Sequence, residues 1–163
     1  MPRDAKSTSS THKSDHVRAY NDRLFLDLIR QKGRLSKAAL TRASGLSAQS
    51  ATVIVNRLVE EGLLKAGDSI KGKVGQPSTP YSLDPEGALS IGIKVGRRSL
   101  EVASMSFDYS IVKRIVHRYD FPRFETVRKV VPAYIDELFQ NMSARQKSRV
   151  VGIGIALPDD LSA

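Results

Sequence analysis

The sequence predicts a two-part chain of mixed α/β and α+β class. Residues 17–84 read as a three-helix unit closed by a β-hairpin, and residues 85–163 as a β-rich unit in the order βββαβ. Three observations carry this. From Ser36 to Leu64 the run SKAALTRASGLSAQSATVIVNRLVEEGLL places apolar residues three and four apart, broken once at Ser44-Gly45-Leu46. Directly behind it stands a basic, glycine-rich stretch, KAGDSIKGKVGQPSTPYSL. Past Asp84-Pro85 the apolar period falls from helical spacing to two.

Residues 1–16 are rich in Ser, Thr, Lys and Asp and read as a disordered arm. Asn21 is a plausible N-cap for a first helix, in which Leu24, Phe25, Leu28 and Ile29 follow helical spacing before Gly33 ends it. Ser36 and Ser47 stand as N-caps of two further helices, and Gly62 stands where the last would stop. In that last helix Ala51, Ile54, Val55 and Leu58 form one apolar face, while Gln49, Thr52, Val53 and Asn56 lie opposite. Such a pair reads as a helix-turn-helix whose second helix fits a major groove. The glycine-rich stretch reads as its wing. Gly67-Asp68 and the Gly72–Gly75 region offer turns, Tyr81-Ser82-Leu83 returns as a strand, and Lys71, Lys73 and Gln76 fall at the tip.

In the second unit LSIGIKV (89–95), LEVASMSF (100–107) and IVKRIVHRY (111–119) read as strands, with Leu100, Val102, Ala103 and Met105 as burial candidates and a turn at Asp108-Tyr109-Ser110. Glu125 to Asn141 has helical periodicity, with Pro132 either starting the main helix or kinking it. VVGIGIAL (150–157) reads as a buried parallel strand halted by Pro158.

Net charge is +9 with a pI near 10.0, which favours a polyanionic partner. The charge is spread evenly: 14 Lys+Arg against 9 Asp+Glu over residues 1–90 (+5), and 12 against 8 over 91–163 (+4). The local motif therefore carries the functional argument. With no cysteine, disulfides and cysteine-containing zinc sites are excluded within the chain. MPRDAKSTSSTHKSDH lacks the apolar core of a secretory signal, and no run reaches the roughly 18 to 20 apolar residues that span a bilayer. The expected location is cytoplasmic.

VRAYNDRLFLDLIRQKGRLSKAALTRASGLS, TVIVNRLVEEGLL, the GKVGQP wing, YSLDPEGALSIGIKVG and VVGIGIALP together resemble the transcriptional repressors of the ROK family. That family joins repressors to sugar kinases, and its xylose and N-acetylglucosamine repressors carry a winged helix ahead of a kinase-like domain. The resemblance implies that residues 85–163 are the first half-lobe of an actin-like nucleotide-binding domain. Where the family's kinases carry Asp-Ile-Gly-Gly-Thr, this chain has Lys94-Val95-Gly96-Arg97-Arg98, so no enzyme activity is expected. The family's sugar pocket, catalytic acid and zinc-binding cluster would lie beyond Ala163, so no sugar effector is expected on this length of chain. Many members also carry arginines near Ala48 and Val53 and a basic residue at the place of Gln76. Their absence here implies an A·T bias, Val53 meeting a thymine methyl and Gln49 or Asn56 pairing with adenine.

The expected function is sequence-specific DNA binding by a regulator of the repressor type acting on sugar-utilisation genes. Gln49, Ser50, Thr52, Val53 and Asn56 are placed at the base edges, and Ala48 beside them in the DNA-binding set. Ser47, Arg57, Lys71 and Lys73 are expected on phosphates, with Gln76 in the wing. Double-stranded DNA is the expected partner, in a homodimer that sets two recognition helices about 34–36 Å apart. No cofactor, metal or membrane is expected. Two other readings stand beside this one: a remnant of a sugar kinase, and a protein-interaction module without DNA specificity.

Overall fold

The computed structural model describes residues 7–69 and 78–158. They fall into two compact units that part between Leu83 and Asp84.

In the first unit α1 (Ser7–Lys32), α2 (Lys37–Ser44) and α3 (Ala48–Glu60) pack with a small antiparallel sheet. Its strands are β1 (Leu35–Ser36), β2 (Leu64–Ala66) and β3 (Pro80–Leu83), in the order β1-β3-β2. Leu64 pairs with Leu83 and Ala66 with Tyr81, which is the base of the expected wing. The tip residues Lys71, Lys73 and Gln76 lie outside the described residues. Phe25 and Ile29 from α1, Leu40 from α2, and Ala51, Val55 and Leu58 from α3 are fully or almost fully buried, with Leu64 and Leu83 closing the sheet side. Burying each large apolar side chain stabilises the unit by roughly 1.5–3 kcal/mol, so this cluster holds the helices in place.

α1 begins well before the expected Asn21, and residues 7–16, expected as part of a disordered arm, are helical. Once Phe25 and Ile29 have docked, each preceding residue adds one backbone hydrogen bond without a new nucleation cost, so a polar sequence continues the helix.

In the second unit β4 (Leu89–Val95), β5 (Ser99–Ser106), β6 (Ile111–Arg118) and β7 (Val150–Ala156) form a sheet in the order β6-β5-β4-β7. β4–β5 and β5–β6 are antiparallel, and β4–β7 is parallel. α4 (Phe124–Gln140) packs over Ile91, Ile93, Leu100 and Val102 through a face that includes Val127, Val131, Tyr134, Ile135 and Leu138. Pro132 lies inside α4 rather than at its start, and it lacks the N–H that would bond the Arg128 carbonyl. A short α5 (Ala144–Ser148) follows, opened by a reciprocal Ser143–Gln146 capping box that the sequence reading passed over.

Two expectations for this unit change. On β5 the buried phase set by Leu100 and Val102 continues through Ser104 and Ser106, so Ala103 and Met105 stand on the other face. Strict alternation of side chains decides this, not their apolarity. β7 is parallel, as expected, but it is not buried: Val151, Ile153 and Ile155 are 75%, 51% and 66% exposed. Among the described strands it forms one edge of the sheet, where Ile153 and Ile155 pair with Ile91 and Ile93.

Candidate nucleic-acid interface

The interface is built on α3. Gly45 ends α2 in the left-handed region (φ +71°) and donates its N–H to the Thr41 carbonyl at 3.1 Å. Leu46 N–H donates to Ser44 Oγ at 3.2 Å. The chain therefore reverses within three residues. Ser47, extended at φ −66° and ψ 154°, accepts from Ser50 N–H at 3.1 Å and caps α3. Ser36 caps α2 in the same way, accepting from Ala39 N–H at 3.3 Å. Both expected caps are present.

With Ala51, Ile54, Val55 and Leu58 buried, the first three turns of α3 expose Ala48, Gln49, Ser50, Thr52, Val53 and Asn56. Val53 is 56% exposed. Apart from Gln49, the side chains of this ridge are short. Thr52 Oγ1 donates to the Ala48 carbonyl at 2.9 Å, so its hydroxyl proton is engaged and its oxygen remains an acceptor. Ser47 Oγ and Ser50 Oγ share a hydrogen bond of 2.9 Å.

Arg57 is not on this ridge. Its guanidinium pairs with the Asp22 carboxylate of α1, both side chains being only 20% exposed. Arg57 faces back into the helix packing, so the phosphate contact expected of it gives way to an internal ion pair. Lys37, which the sequence reading did not single out, does belong to the ridge. At the first position of α2 its Nζ donates to Asn56 Oδ1 at 2.8 Å and stands 5.7 Å from the centre of the Tyr81 ring on β3. One signal could have found it. A cation in the first turn of a helix opposes the macrodipole, so local helix stability does not account for it.

The second unit offers less. The Lys94–Arg98 segment is a tight hairpin between β4 and β5, with Gly96 N–H donating to the Ser99 carbonyl at 2.8 Å and Tyr119 Oη donating to the Gly96 carbonyl at 2.7 Å. A Cβ on Gly96 would meet the Ser99 carbonyl oxygen at 3.1 Å, so this glycine serves the turn. An open groove of about 440 Å³ runs past Gly92, Ala103, Ile111 and Gly154. Its charged groups are paired within it, Lys94 and Arg114 both with Glu101, which leaves one positive charge in excess. Among the described residues no cluster of three or more His, Asp or Glu could hold a metal, and no helix is long and apolar enough to cross a membrane.

Residues 18–65 match the family of winged helix-turn-helix DNA-binding domains, so the first unit is of that class. The chain is 25% identical over 146 residues to the DNA-binding transcriptional dual regulator NagC of Escherichia coli K12, covering 88% of this chain and 35% of that protein. The N-acetylglucosamine repressor of Shigella flexneri matches to the same extent. Among solved structures, a ROK family transcriptional regulator described as a homologue of the Escherichia coli MLC protein superposes with a TM-score of 0.58 at 23% identity, over 86% of this chain and 35% of that one. Over most of its length the chain is thus similar to these relatives, and it spans about a third of their length.

Proposed function

We propose that this chain is a DNA-binding transcriptional regulator of the repressor type, acting on genes of sugar use, and that it is not an enzyme. The observation that carries the reading is the exposed ridge Gln49–Thr52–Val53–Asn56 on the second helix of a winged helix-turn-helix. α3 enters the major groove with its N-terminal half. Gln49 takes an adenine edge and Val53 a thymine methyl, while Ser47 and the free amides of the first turn of α3 seat a phosphate. Lys71, Lys73 and Gln76 extend the contact from the wing to the flanking backbone. A homodimer sets two such helices in successive major grooves, and occupancy blocks polymerase. The sugar link comes from the N-acetylglucosamine repressors to which the chain is similar.

The enzyme reading is weaker on a specific ground. The hairpin at Lys94–Arg98 carries three cations and a closed turn where the family's kinases carry an acid and an open glycine pair. A titration of the chain and of its Gln49→Ala and Asn56→Ala forms against a selected DNA site tests the proposal. Each substitution is expected to reduce preference for that site by about 1–3 kcal/mol while non-specific binding stays level. Affinity unchanged by both would remove the major-groove assignment and favour a protein-interaction module.

A further inference from the structure

We infer that Lys37 is a positioning residue that sets the base read by Asn56, turning it from an adenine reader into a guanine reader. The inference rests on the DNA-binding reading above and adds to it a residue and a base. An ammonium has hydrogens to donate and no lone pair to accept with. The Asn56 atom that faces Lys37 Nζ at 2.8 Å is therefore the carbonyl oxygen, and the amide nitrogen with its two hydrogens is turned away from it.

A free asparagine reads adenine by accepting from N6 and donating to N7 at once. Here the accepting half of the amide already carries a cation. That oxygen keeps a second lone pair, but an adenine amino group taking it would set its own hydrogens beside the ammonium, donor beside donor. Guanine presents O6 and N7, two acceptors and no donor, on the same edge. The amide hydrogens of Asn56 and the spare hydrogens of Lys37 meet that edge without conflict.

Lys37 is also held where it is. It follows Ser36, whose strand pairs with β3 in the register Ser36↔Pro80 and Leu35↔Tyr81, and its ammonium lies beside the Tyr81 ring. Thr41 Oγ1 bonds the Lys37 carbonyl at 2.9 Å. Lys37 is half-buried while Asn56 is exposed, so the lysine is the fixed partner and the asparagine the oriented one.

The test is selection from a random duplex library with the wild-type chain and with Lys37→Met, Lys37→Arg and Asn56→Ala, each checked for an unchanged melting temperature. The wild type is expected to show guanine at one position where Asn56→Ala shows no preference. Lys37→Met frees the amide and is expected to move that position to adenine by about tenfold or more, and Lys37→Arg is expected to retain guanine. A uniform loss of affinity in Lys37→Met, with every base preference intact, would overturn the inference and make Lys37 a phosphate contact. Adenine at the Asn56 position in the wild type would overturn it equally. Should the wild-type chain select no sequence at all, the DNA-reading assignment of α3 itself fails, a result distinct from either of these.

Discussion

Asp22 and Arg57 stand 35 residues apart in sequence and join α1 to α3 through one ion pair. Taking away the carboxylate leaves a guanidinium that is four-fifths buried without its counter-ion. Asp22→Ala is accordingly expected to reduce stability by about 1–3 kcal/mol in urea denaturation. An unchanged midpoint, joined to tighter DNA binding, would instead return Arg57 to the phosphate contacts. Nothing in the spacing of Arg57 separates the two roles, because its place on the helix is one position beyond the exposed ridge and its partner lies in another element. Asp108, in the β5–β6 turn, shows how a local site titrates. The Ser106 hydroxyl, donating at 2.6 Å, and the Ser110 N–H, donating at 3.2 Å, hold its carboxyl below the usual carboxylate range. Its stabilisation is present above the ordinary carboxylate value and is lost as pH falls through the lower folded value. The wild type is expected to exceed Asp108→Ala in stability at neutral pH, and the gap to close in strong acid, as followed by thermal melting across pH.

At the scale of elements, punctuation was the most legible part of the sequence. Ser36 and Ser47 cap the helices they precede, and Gly45 takes the positive φ that ends α2. Gly45→Ala is expected to cost about 1 kcal/mol or more, read as a lower melting temperature, because a Cβ is strained there although nothing crowds it. The alternation of β4 was equally plain, since Leu89, Ile91, Ile93 and Val95 repeat without interruption. On β5 the serines at 104 and 106 occupy buried positions that apolarity alone would not assign to them. β7 marks another limit. Its uninterrupted apolar run is what a strand covered on both faces looks like, and the sequence does not reveal that Val151, Ile153 and Ile155 are left exposed. The difference has a measurable consequence. Leu100→Ala is expected to cost about 2–5 kcal/mol, whereas Ile153→Ser on the open edge strand stays within about 0.5 kcal/mol.

For the whole molecule, charge and shape play separate parts. The +9 balance is divided almost evenly along the chain, so it supplies general attraction to a polyanion and no address. On the proposed reading, the address comes from the exposed side chains of α3 and from the pair that Lys37 makes with Asn56. The wing's base was legible as a hairpin because Leu63-Leu64 and Tyr81-Ser82-Leu83 flank a glycine-rich stretch, and the pairing of Leu64 with Leu83 follows from it. The third partner of that sheet, β1, is only two residues long and carries no periodicity to read. The most direct measurement is capture of sheared DNA from the chain's own host at about 0.15 M salt, with the retained fragments sequenced for the wild type and for the Gln49→Ala/Asn56→Ala double variant. Enrichment of a few intergenic fragments that share a motif is expected, lost in the double variant while general retention persists. No retention by the wild type, or enrichment identical in the two proteins, would contradict the DNA-reading assignment of α3.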